Sequence, residues 1–239
     1  MLLPVFWIRR VILRTLGEEY LGLTSLFQNL IGFLSLAELG IGAAIVYALY
    51  KPIAENDHAK TNALLAYYQN AYIKISGVIA ATGISLMLFF PQVIKTDIAR
   101  PTVIVAFLIF LQSTLMSYWF SSRLSLFFVA QRSYVVTALA SGFRLVTLLL
   151  QIGLLYLLKN YFVFLLVQVA LDALYFMAVN ILAKKYFPWI SSAARELTTN
   201  EKKDLNKSTS AVFCHKLGSF VVLGSDSIII SVFVSLAAV

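Results

Sequence analysis

Ionisable side chains recur deep inside apolar stretches of this chain. Glu38, Lys74, Arg144 and Asp172 each stand well within a hydrophobic run, and His215, Lys216 and Asp226 share the last one. A charge at the centre of a bilayer costs roughly 2.5–3.5 kcal/mol even on the lenient insertion scale. A chain that only had to sit in lipid would not carry one in nearly every helix. Such groups face a bundle interior or a wet path, and the chemistry they offer is binding and moving a polar or charged solute. Lys74 and Arg144 would attract an anion. Glu38 and Asp172 would act as counter-ions or as proton carriers. His215 and Lys216 lie nearer one end of their span, where Lys216 can reach the interface.

The elements that position these residues follow from composition. Hydrophobic residues make up 60% of the 239 and charged ones 13%, with a mean hydropathy of +0.85. Soluble domains sit nearer half apolar and a quarter charged, so the expected fold class is an all-α, polytopic transmembrane helix bundle. Pro, Asn and charge clusters divide the chain into spans at about 23–50, 62–90, 101–121, 134–158, 161–183 and 209–237. Each covers a hydrocarbon core of about 30 Å at 1.5 Å per residue. The leading stretch, Met1 to Ile8, is too short to span and lacks a signal-peptide cleavage pattern. It reads as a partial first helix, giving about six complete spans in all. The segment Arg123 to Arg132 is basic at both ends and apolar between. It suits either the membrane interface or an extension of its neighbours.

Orientation follows from Lys and Arg. One side holds Lys51, Lys60, Arg123, Arg132, Lys184, Lys185, Arg195, Lys202, Lys203 and Lys207. The other holds Lys95, Arg100 and Lys159, with Arg9, Arg10 and Arg14 of the first segment. The positive-inside rule places the 184–208 loop in the cytoplasm. The net charge of +8 thus belongs to membrane-edge loops, and nucleic acid is not an expected partner.

Polar residues gather on single helix faces, as residues three, four and seven apart do. Thr24, Ser25, Gln28, Gly32, Ser35 and Gly42 form one stripe with Glu38 at its edge. Tyr67, Asn70, Ala81 and Ser85 accompany Lys74. Thr137, Ser141 and Gln151 accompany Arg144, while Gln168, Asp172 and Tyr175 align, as do His215, Ser219 and Asp226. Ser, Thr, Ala and Gly on such stripes suit helix packing, whereas Lys74 and Arg144 suit a hydrated cavity. Gly40 and Gly42 weaken the helix at the depth of Glu38. The sequence has no phosphate-binding glycine loop, no Cys/His set with metal spacing and no nucleophile elbow. The single cysteine, Cys214, forms no internal disulfide. The expectation is transport rather than catalysis, with no cofactor and no metal.

The run Arg14-Thr15-Leu16-Gly17-Glu18-Glu19-Tyr20-Leu21-Gly22-Leu23, then Leu34 to Gly42 and Tyr50-Lys51-Pro52, resembles the start of bacterial polysaccharide flippases. These are the Wzx-like (O-antigen) members of the polysaccharide transporter family, in the superfamily of multidrug, oligosaccharidyl-lipid and polysaccharide exporters. Gly218 to Ser231, with Ser225-Asp226-Ser227-Ile228-Ile229-Ile230, resembles their seventh helix. The resemblance implies translocation of undecaprenyl-diphosphate-linked oligosaccharide across the bacterial inner membrane by alternating access between two lobes. It implies an amino-terminal lobe at 1–208, with helix one truncated, and the start of a second lobe at 209–239. One lobe alone would not enclose a two-lobed cavity. It also implies a diphosphate site drawing on Arg10 and Arg14, and a polysaccharide polymerase and chain-length protein as partners beside membrane lipids. Arg10, Arg14, Lys74 and Arg144 are then the expected substrate-binding residues, with Glu38, Asp172, Asp226, His215 and Lys216 as coupling or counter-ion groups. A drug or cation exporter would favour acids and aromatics over bases. A membrane-bound enzyme of polysaccharide synthesis would need a larger extramembrane loop than 184–208, whose Glu196, Glu201 and Asp204 stand among lysines.

Overall fold

The computed structural model describes residues 2–34, 41–93, 98–190, 197–203 and 205–207, and these are helix and turn with no strand among them. Seven helices follow in chain order among the described residues: α1 (Leu2–Thr15), α2 (Glu18–Leu34), α3 (Ile41–Ala54), α4 (His58–Val93), α5 (Arg100–Val129), α6 (Ser133–Leu158) and α7 (Tyr161–Tyr186). Helices α5, α6 and α7 are long and apolar enough to cross a bilayer. The all-α membrane bundle expected from composition is the fold observed. Glu38, His215, Lys216 and Asp226 lie outside the described residues, as does the span expected at 209–237.

Local chemistry sets the helix ends. At Gly17, φ is +99°, a backbone conformation that a Cβ resists, and the chain turns there from α1 to α2. Asn56 and Gln131 also adopt positive φ, at 56° and 57°. Beyond Asn56, the Asp57 N–H donates to Pro52 O; beyond Gln131, the Arg132 N–H donates to Phe127 O. Both are Schellman closures that satisfy carbonyls at a helix end. Asp57 Oδ1 then accepts from the Lys60 N–H and caps α4. Between α6 and α7 the turn is tighter still. Lys159 takes the left-handed conformation, and Asn160 Oδ1 accepts from the N–H groups of Phe162 and Val163.

The chain divides into two compact units. The larger comprises residues 1–37 and 69–190. Within it α5, α6 and α7 pack on one another, α2 packs on α5, and α1 packs on α2 and α6. Phe27 of α2 meets Phe107 and Phe110 of α5 edge-on at 5.3 and 5.7 Å. The 69–93 part of α4 lies antiparallel to α5. Gln69 donates to Trp119 O, Tyr72 meets Tyr118 at 5.4 Å, and a Cβ on Gly83 would sit 3.0 Å from Leu111.

The smaller unit comprises 38–68 and 191–239. Its described part holds α3, the start of α4 and short helical stretches at 199–203 and 205–207. Thr198 and Glu201 form a reciprocal capping box. Lys60 pairs with Glu201 at 3.7 Å, and Tyr67 Oη donates to Asn206 at 3.3 Å.

Helix α6 shows how sequence divides a packed interior from an exposed apolar surface. Leu145, Leu149 and Tyr156 run along one face and are each more than half exposed. Thr147, Gln151 and Leu155 are buried on the other. In water such a surface would aggregate; in hydrocarbon it is the favoured one.

Candidate functional site: a polar cavity between membrane helices

Inside the larger unit, α1, α2, α5, α6 and α7 surround a cavity of about 670 Å³. Its polar lining comes from the stripes of the sequence. Helix α2 contributes Thr24, Ser25 and Gln28; α6 contributes Ser141, Arg144, Thr147 and Gln151; α7 contributes Gln168, Asp172 and Tyr175. Helix α1 adds Arg9, and α5 adds Ser113 and Thr114. Among the described residues, two guanidinium groups and one carboxylate thus share one chamber.

The carboxylate is held by neutral donors. Ser113 Oγ donates to Asp172 Oδ2 at 2.6 Å. Gln168 Nε2 donates to both oxygens of Asp172 at 3.1 Å. Gln168 Oε1 in turn accepts from Gln151 Nε2 at 3.3 Å, and that amide also donates to Phe164 O at 3.1 Å. The chain of hydrogen bonds ties α5, α6 and α7 together at mid-span. Ion pairs among the described residues include Lys51–Glu55 and Lys60–Glu201, and Asp172 forms none with Arg9 or Arg144. The arginines are therefore not neutralised by the acid that shares their cavity.

Next to this network the wall turns aromatic. Phe143 and Tyr175 both line the cavity, with ring centroids 6.0 Å apart in an edge-on arrangement. Towards the Asn160 end, Thr24 Oγ1 and Tyr161 Oη lie 2.8 Å apart, a polar link between α2 and α7.

Of the residues singled out by sequence, the exposed Arg144 and the half-buried Asp172 both line this cavity. Arg10 and Arg14 are exposed and are not among the lining residues. Ile8, Arg9 and Ile12 are the α1 residues that line it, and residues 10 and 14 share a different face of that helix. Lys74 is exposed, along with Asn70, Ala81 and Ser85 of its stripe, and α4 supplies no lining residue among those described. Sequence reasoning passed over Ser113. Its signal was the polar run Gln112-Ser113-Thr114 interrupting an otherwise apolar span. Arg9 carried no separate signal, because it adjoins Arg10 in a basic pair. No cluster of metal-ligating side chains occurs among the described residues.

The chain has a named relative. It is 25% identical, over 239 residues, to the uncharacterized membrane protein EpsK of Bacillus subtilis (strain 168). The match takes in 94% of this chain and 46% of that protein, so the chain spans about half the length of the relative it matches. No family model matches, and no solved structure does. The apolar helices and the relative agree on one point: this is a membrane protein.

Proposed function

We propose that this protein takes part in moving undecaprenyl-diphosphate-linked oligosaccharide across the bacterial inner membrane, as a multi-pass transport protein and not an enzyme. The observation that carries this reading is the cavity among α1, α2, α5, α6 and α7, whose described lining holds Arg9 and Arg144 with a single carboxylate, Asp172, that pairs with neither. Among the described residues, two bases against one acid give the chamber a positive excess. An unpaired guanidinium within a membrane helix is costly, and an anionic ligand offsets that cost when it binds. A diphosphate suits the role, since a guanidinium can grip phosphate oxygens bidentately. At about 670 Å³ the chamber falls within the roughly 300–1,000 Å³ typical of ligand sites. The product of such transport would pass to a polysaccharide polymerase with its chain-length partner.

The test is export in the intact protein. Arg144→Ala should reduce polysaccharide export at least tenfold while membrane insertion stays at the wild-type level. Unchanged export would remove Arg144 from the transport path. A cation exporter is the second reading, favoured by Asp172 beside Phe143 and Tyr175 and disfavoured by the two arginines. It predicts that Arg144→Ala improves efflux of a lipophilic cation.

A further inference from the structure

The transport reading assigns the arginines to the anionic link and leaves the amide and aromatic wall of the cavity without a role. A carboxylate offers about four acceptor positions. In Asp172, Oδ2 accepts from Ser113 and Gln168, and Oδ1 accepts from Gln168 alone. One acceptor position on Oδ1 is therefore open in a residue that lines the cavity. The carboxylate is also fixed in orientation, because Gln168 is itself held by Gln151, which is anchored on Phe164 O. Tyr175 follows one turn further along α7 and lines the same cavity, its ring set against Phe143.

An oriented acceptor beside flat apolar rings matches the two surfaces of a pyranose. Its hydroxyl groups donate outward around the ring edge, and its C–H faces lie against aromatic carbon. A lipophilic cation would gain from the rings and the charge but has no hydroxyl to donate to the open acceptor, and two arginines oppose it. We infer that Asp172, Gln168 and Tyr175 form a sugar-binding subsite, backed by Ser113 and Gln151. It reads hydroxyl groups of the glycan while Arg9 and Arg144 hold the anionic link. This rests on the transport reading and adds to it a residue-level basis for choosing among glycans. A site built to bond a hydroxyl discriminates against a ligand lacking it, because an acceptor that the ligand desolvates is then left unpaired.

The experiment compares two probes on the purified intact protein in detergent. One is undecaprenyl diphosphate; the other is the lipid-linked oligosaccharide pool extracted from the host that makes this protein. The wild type should bind the sugar-bearing pool at least tenfold more tightly. In Asp172→Asn and in Tyr175→Leu that ratio of Kd values should fall to about threefold or less. A purely structural role would weaken both probes together and leave the ratio intact, and that result would overturn the subsite. So would a wild type that binds both probes equally well, although the transport reading would then stand. If the wild type binds neither probe, whether or not it binds tetraphenylphosphonium, the subsite and the transport reading fall together.

Discussion

Asp172 is the residue where competing forces are easiest to weigh. Removing a carboxylate from water costs several kcal/mol unless charge or hydrogen bonds replace the lost solvation. A neighbouring guanidinium is the usual remedy, yet here Ser113 and Gln168 supply the donors. Hydrogen bonds to charged groups are worth about 1.5–3 kcal/mol in water-soluble proteins. Those between membrane helices average nearer 0.6. Ser113→Ala should therefore lower stability by about 1 kcal/mol, read as a reduced midpoint in detergent thermal unfolding. No measurable change would mean that the α5–α7 link is not held through this hydroxyl. Much of this site was legible beforehand. The stripes around Arg144 and Asp172 identified the lining of α6 and α7, because a 3.6-residue period sorts polar from apolar side chains without further information. Arg9 was not legible. Arg9 and Arg10 are both exposed; which of the two borders the cavity depends on the phase of α1 against α2 and α6, and the sequence of α1 alone does not carry that phase.

At the scale of helices, ends and close contacts decide the geometry. The α6–α7 turn spends only Lys159 and Asn160 on reversing the chain, and Asn160 satisfies two N–H groups of α7. Asn160→Ala should cost about 1 kcal/mol, the usual value of such a cap, in the same unfolding measurement. Gly83 marks a close approach of α4 to α5, where an added Cβ would meet the Leu111 side chain at 3.0–3.1 Å. Leu111 is buried, so a branched side chain has no room without displacement. Gly83→Val should destabilise by about 1–3 kcal/mol through overpacking. The arginine-flanked segment from 123 to 132 was ambiguous in sequence, since an apolar run between charges fits an interfacial helix as well as a longer span. In the structure α5 continues to Val129 before the Gln131 turn. It lengthens the helix.

For the whole molecule, composition was the strongest guide. Three helices of 26–30 residues reach about 39–45 Å at 1.5 Å per residue, enough to cross the hydrocarbon and both interfaces. The charge distribution adds a direction. Arg123, Arg132, Lys184 and Lys185 cluster at the end of the α5–α7 bundle that holds Gln131, opposite Lys159. In a Cys214→Ser background, Gln131→Cys should label only after the cytoplasmic face is opened, and Lys159→Cys should label in intact cells. The reverse pattern would invert the orientation. What composition did not provide was the division of the chain into two compact units, because apolar spans look alike in sequence whichever neighbours they choose.

The account rests on water reaching the middle of the membrane beside Arg144. The direct measurement is the reaction rate of single cysteines with a membrane-impermeant thiosulfonate, again with Cys214 replaced by serine. The thiolate is the reacting form, and an apolar surrounding suppresses it. Arg144→Cys should react at least tenfold faster than Leu149→Cys, which lies on the exposed apolar face of α6. Equal, slow rates at both positions would mean that no aqueous chamber exists there, and that Arg144 sits in lipid like its neighbours.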